Sequence, residues 1–154
     1  MKSFNIFDAT IEYDDEDPEG YKGGFNRFGP KIGAEKIGGT VYELPPGQSL
    51  CPYHYEYDEE WLIVLEGELV VRHPEGEDTL RAGDATAFPI GPAGAHKASN
   101  ASQAPARFLM LSTKLEPAVA VYPDSGKIGV WTPNKDEHVM TRLGTRLDYY
   151  DGEV

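Results

Sequence analysis

Short apolar runs, each cut off by glycine or proline, fill residues 47–100 and constrain the whole chain. Trp61-Leu62-Ile63-Val64-Leu65 is a continuous apolar run, ended by Gly67. Glu68-Leu69-Val70-Val71-Arg72 follows, then the polar turn His73-Pro74-Glu75-Gly76. Pairing resumes at Asp78 to Arg81, and Gly83-Asp84 turns the chain again. Ala85 to Phe88, Ala95 to Asn100 and Arg107 to Thr113 read as further strands, as do Thr40 to Leu44, Val119 to Tyr122 and Ile128 to Trp131. Turn signals at intervals of roughly ten residues are the pattern of an all-β sandwich or small barrel. No long apolar helical run competes with that reading.

A length of 154 residues suits one domain, and 40% hydrophobic residues suffice for a core. The net charge of −12 would repel a phosphate backbone, so nucleic acid is not expected as a partner. No basic amphipathic segment addresses an anionic membrane surface, and no apolar run is long enough to span a bilayer. Met1 to Asp8 lacks the apolar stretch of a signal peptide, and a single cysteine rules out an internal disulfide. Both features lead us to expect a cytoplasmic protein.

Residues 1–38 read as an N-terminal arm packed on the barrel. Within them, six carboxylates in the eight positions Glu12 to Glu19 lack the ligand spacing of a calcium loop and read as a solvated acidic loop. Residues 39–115 form the barrel, and 116–154 a C-terminal extension that completes it or makes a dimer contact. Aromatics near the end, Tyr149 and Tyr150, suggest docking on this protomer or a partner. The Trp61–Leu65 strand is apolar on both faces, so its outer face needs cover from the arm, the tail or a second subunit. A homodimer is expected.

Strand side chains alternate between faces, which puts His54 and Glu56 on one side of their segment. Glu60 shares a face with Leu62 and Val64, and His96 shares one with Ala98 and Asn100. If both segments face one barrel interior, His54, Glu56, Glu60 and His96 converge. Two imidazoles and two carboxylates suit a divalent transition metal. Tyr42, Tyr53, Tyr55, Phe88 and Met110 are candidates to line the cavity, their facing set by strand register. Asn100 reads as a backbone anchor near a strand end, and His73 and His138 as solvated. Cys51 falls on the alternation opposite His54 and reads as a small buried hydrophobe.

These residues carry two motifs that resemble those of the cupins. Gly47, His54, Glu60 and Gly67 match the first, with one extra residue between Gly47 and His54 and six residues between Glu60 and Gly67. Gly83, Pro89, Gly91, His96 and Asn100 match the second, with five residues between Gly83 and Pro89 and three between His96 and Asn100. The resemblance covers residues 39–115 and implies a cupin-like jelly-roll β-barrel. It implies His54, Glu60 and His96 as ligands of a divalent transition metal, of which Mn, Fe, Ni and Zn are candidates.

One position departs from the pattern. Where the family carries its second histidine, this chain has Glu56. A carboxylate there can serve as fourth ligand or as a general base beside a three-residue site. Two carboxylates bring a divalent site to about zero net charge, which weakens Lewis acidity and favours harder ions such as Mn²⁺ or Fe²⁺. The resemblance is compatible with a metal-dependent dioxygenase or isomerase acting on a small organic molecule. The alternatives are a non-catalytic binding module for a small ligand or a metal-free scaffold, because one fold hosts many functions.

Overall fold

The computed structural model describes residues 1–144 and 146–153. Strands β1 (Glu12–Tyr13), β2 (Gly24–Arg27), β3 (Ile37–Leu44) and β4 (Tyr55–Glu56) come first. Then come β5 (Glu60–Glu66), β6 (Glu68–His73), β7 (Gly76–Arg81), β8 (Ala85–Phe88) and β9 (Lys97–Ser99). The chain continues through β10 (Ala106–Thr113), β11 (Ala118–Tyr122), β12 (Lys127–Trp131) and β13 (Val139–Arg142). One helical turn, α1 (Gly29–Ile32), sits between β2 and β3.

The all-β expectation holds. One wall is an antiparallel six-stranded sheet in the order β1-β2-β3-β10-β5-β8. The other is assembled from a three-stranded sheet, β7-β6-β9, and a four-stranded sheet, β13-β12-β11-β4. The segment before β4 joins those two pieces through bridges between Ser49 and Ser99 and between His54 and His96.

Alternation along the strands decides what lies between the walls. Leu62 and Val64 of β5, Ala106, Phe108 and Met110 of β10, and Leu44 of β3 point inward and meet Leu69, Val71 and Ala98 of the opposite wall. Each large side chain so enclosed contributes about 1.5–3 kcal/mol of transfer free energy. The outer face of the six-stranded sheet carries its own apolar set, including Val41, Ile63, Leu65, Leu109 and Leu111. Phe4, Ile6, Ala9, Ile11 and Phe28 cover it, and Arg107 ties this cover down by donating to the Phe7 and Ala9 carbonyls. Trp61 is left 47% exposed at the end of the covered strip.

Two stretches differ from the sequence reading. Glycine-rich residues 20–39 are more than a covering arm, because β2 pairs with β3 and extends the sheet. The glycines permit it: Gly39 packs under the Phe28 ring, where a Cβ would lie 2.6 Å from Cζ. Downstream, β13 pairs with β12 although all four of its residues are exposed. Leu147, Tyr149 and Tyr150 are also exposed, so the terminal aromatics do not dock on this protomer. No described helix is long and apolar enough to cross a membrane.

Candidate metal centre

His54 and His96 face each other across the bridge that joins the two smaller sheets. His54 N–H donates to the His96 carbonyl at 3.1 Å, and His96 N–H returns the bond at 2.8 Å. A reciprocally bonded antiparallel pair projects both side chains to one face, and here the ring centroids are 4.7 Å apart. Both rings are held from behind. His54 Nδ1 is 3.0 Å from the Pro52 carbonyl, and His96 Nδ1 is 2.9 Å from that of Gly94. A carbonyl only accepts, so each Nδ1 carries a proton and each Nε2 is left as the ring atom that can give a lone pair to a metal. That is the tautomer and orientation a metal-ligating histidine needs.

The Gly94 carbonyl is placed by a tight loop. A Cβ at Gly94 would come within 1.8 Å of the Pro89 carbonyl oxygen, so only glycine fits. Phe88 stacks on His96 at 3.6 Å, and Tyr122 lies along His54 at 5.8 Å.

Glu60 enters from the opposite wall, at the start of β5, on the face of Leu62 and Val64. Its Oε2 is 3.6 Å from His96 Nε2. Ligand atoms of His54, Glu60 and His96 all lie within 4.8 Å of one another, close enough to share one ion. Glu56, at the end of β4, approaches from the side, with Oε1 3.5 Å from His54 Nε2. The structure therefore gathers all four sequence candidates and separates a close trio from a flanking carboxylate.

Electrostatics reflect the crowding. Burial opposes a charge on His54, but Cys51 and Glu56 beside it outweigh that and raise its pKa to about 11. His96 is lowered to about 4 by burial and by the neighbouring His54 charge. Burial, followed by the Glu56 charge, raises Glu60 to about 7. A divalent cation would relieve the carboxylate pair and replace the imidazole proton.

Above the trio opens a cavity of about 540 Å³. Tyr42 and Met110 line it, as expected. Tyr53 instead stacks under Arg72 at 3.9 Å, on the far side of β6. Tyr55 lies edge-on to the exposed Tyr57.

Cys51 was misplaced in sequence. Its Sγ is 3.5 Å from His54 Nδ1, and it lines the cavity. Residues 51–53 form a bend, not a strand, so alternation does not apply across them. Tyr122, Asp17, Tyr21 and Phe25 also line the cavity, brought there by pairings of β11 with β4 and β2 with β3 that no local pattern announces. Asn100 behaves as read: its Nδ2 donates to the Leu44 and Ala104 carbonyls.

Comparisons with known proteins agree with this architecture. Residues 40–112 match the Cupin_2 family, a cupin domain. A sugar phosphate isomerase of a cupin superfamily from Silicibacter pomeroyi superposes with a TM-score of 0.81 at 24% identity, covering 97% of this chain and 98% of that one. A protein of Acidithiobacillus ferrooxidans, described as a candidate sugar phosphate isomerase, gives 0.80 at 22% identity over 93% and 91%. A polyketide cyclase of Streptomyces resistomycificus gives 0.61 at 22% over 77% and 83%. Comparison with curated proteins returns no match.

Proposed function

Since this chain is a cupin-type protein, with its cupin domain at residues 40–112, we propose that it is a metal-dependent isomerase of a small polar organic molecule. His54, Glu60 and His96 hold a divalent first-row metal, and Glu56 is the acid–base group beside it. The observation that carries the reading is that ligand atoms of His54, Glu60 and His96 lie within 4.8 Å of one another, with both rings held by the Pro52 and Gly94 carbonyls.

Bound in this trio, the metal would supply Lewis acidity at a substrate oxygen. The protein does the rest. Phe88 and Tyr122 hold the imidazole planes. Glu56, partly open to the cavity, stands where a carboxylate can take a proton from carbon or hydroxyl and return it to a neighbouring atom. Its position outside the close trio favours proton transfer over oxygen chemistry, for which the dioxygenase alternative needs no such base. The name of the two full-length structural neighbours supports the isomerase reading too, while identities of 22% and 24% carry the fold and not the substrate.

In this reading the protein works in the cytoplasm as a homodimer. Ile37 and Trp61, left exposed on the outer sheet beside Leu111, support the second subunit.

Elemental analysis of purified protein tests the assignment. About one first-row metal per chain is expected, lost in His54→Ala and retained in Glu56→Gln. In D₂O, the wild type should exchange a carbon-bound proton of its substrate and Glu56→Gln should not. No metal after incubation with Mn²⁺, Fe²⁺, Ni²⁺ and Zn²⁺ would sink the reading. Oxygen uptake by the Fe²⁺ form would replace isomerase with dioxygenase.

A further inference from the structure

The walls of the cavity carry information that the metal trio does not. Three carboxylates face the space: Asp17, Glu56 and Glu60. Tyr21, Phe25, Tyr42 and Tyr122 supply four aromatic rings. Among the described residues that line it there is no lysine or arginine. Three cations lie outside the lining, each over one of these rings. Lys97 Nζ is 5.5 Å from the Tyr21 ring, Arg27 Cζ 5.3 Å from Phe25, and Lys127 Nζ 5.2 Å from Tyr122.

Asp17 is the informative member. It belongs to the acidic loop ahead of β2 and is half-buried at the cavity wall. Its backbone N–H turns back to the Asp14 carbonyl, while among the described residues its carboxylate has no hydrogen-bond or salt-bridge partner. Such a group has its acceptor capacity free for a ligand.

A phosphate ester brings close to two negative charges at neutral pH. Here it would meet three carboxylates on a chain of net charge −12. Glu60 and Glu56 already offset the charge of a divalent ion, so the metal exerts little pull on it. Repulsion between like charges grows as water is excluded. Hydroxyl groups fit the same walls: they donate to carboxylates, and the apolar face of a polyol ring lies against tyrosine and phenylalanine.

We propose that the ligand is an uncharged polyhydroxy compound, an unphosphorylated sugar or polyol, and that Asp17 accepts hydrogen bonds from its hydroxyls and sets this specificity. The inference rests on the isomerase reading for the use of the ligand, but its charge argument concerns the walls alone. It separates this chain from the phosphate esters named for its structural neighbours.

Calorimetric titration of the Mn²⁺-loaded and the chelated protein tests it, with D-ribose, D-xylose, D-glucose, D-mannose and their phosphate esters as probes. At least one parent sugar should bind, its ester at least tenfold more weakly. Asp17→Asn should weaken the parent sugar by about tenfold, the loss of one charge-assisted hydrogen bond, with metal content unchanged. An ester that binds more tightly than its parent overturns the proposal, most directly if Arg27→Ala abolishes that binding. So does a panel in which nothing binds, or an Asp17→Asn protein that binds as the wild type does. Metal content measured on the same sample keeps the two readings apart. A metal-free protein that still prefers the parent sugar removes the isomerase reading and upholds this one.

Discussion

Glu60, Leu62 and Val64 stand in a row on the inner face of β5, yet they serve opposite halves of the barrel. Leu62 and Val64 meet Leu69, Val71 and Phe108 in a packed interior. Glu60 faces His54, His96 and an open cavity. The packed half lowers the free energy of the fold through buried apolar surface. The hollow half raises it, because it holds two imidazoles and a carboxylate away from water. The same alternation builds both, so stability and chemistry occupy neighbouring positions of one strand and can be perturbed one at a time.

Phe108→Ala is the strongest way to test that separation. Phe108 is fully buried, and its truncation should cost about 4 kcal/mol, with Tm lower by about 10 °C. Metal bound per folded chain should not change. Thermal denaturation and elemental analysis of one preparation check both halves of the statement.

Next is Glu60→Gln in chelator-treated protein. Burial raises the Glu60 pKa from 4.5 to about 7, so the folded chain holds this proton more tightly than the unfolded chain. Wild-type stability should therefore fall as pH rises from 4.5 through 7 and then level off. The glutamine variant lacks this loss and should be the more stable by on the order of 2 kcal/mol at pH 8. The difference should vanish near pH 4.5. Urea denaturation at the two pH values decides it.

Gly94→Ala should act chiefly on the hollow half, through the loop at Pro89. Displacing the carbonyl behind His96 Nδ1 should weaken metal affinity by about tenfold or more, while far-UV circular dichroism stays that of the wild type. Glu56→Gln should have the smallest effect on stability, within about 0.5 kcal/mol, because Glu56 flanks the trio and is partly exposed. Its loss should be confined to proton exchange.

The sequence disclosed the packed half more fully than the hollow one. Strand β5 and the hairpin of β6 and β7 announce themselves by apolar runs and a Pro-Gly-containing turn. Motif spacing likewise brought His54, Glu60 and His96 together, because their glycine and proline neighbours punctuate at fixed distances. What escaped depends on contacts between distant segments. Asp17 and Phe25 reach the cavity only because β2 joins β3, and Tyr122 only because β11 pairs with β4. Cys51 was lost to the bend at Pro52, which breaks the period that placed it on the other face. Strand β13 had no apolar face to betray it, being held by backbone bonds to β12.

The reciprocal bonds between His54 and His96 have a mechanical meaning. With the Ser49–Ser99 bridge they form the seam between β7-β6-β9 and β13-β12-β11-β4, so the side chains that would clasp an ion sprout from the rivets of that wall. An occupied centre would pull the seam shut, and opening the seam would take the ligands apart. Occupancy should thus be readable far from the cavity, as slowed amide hydrogen exchange along β11 and β12, whose residues touch no ion but hang from one side of that join.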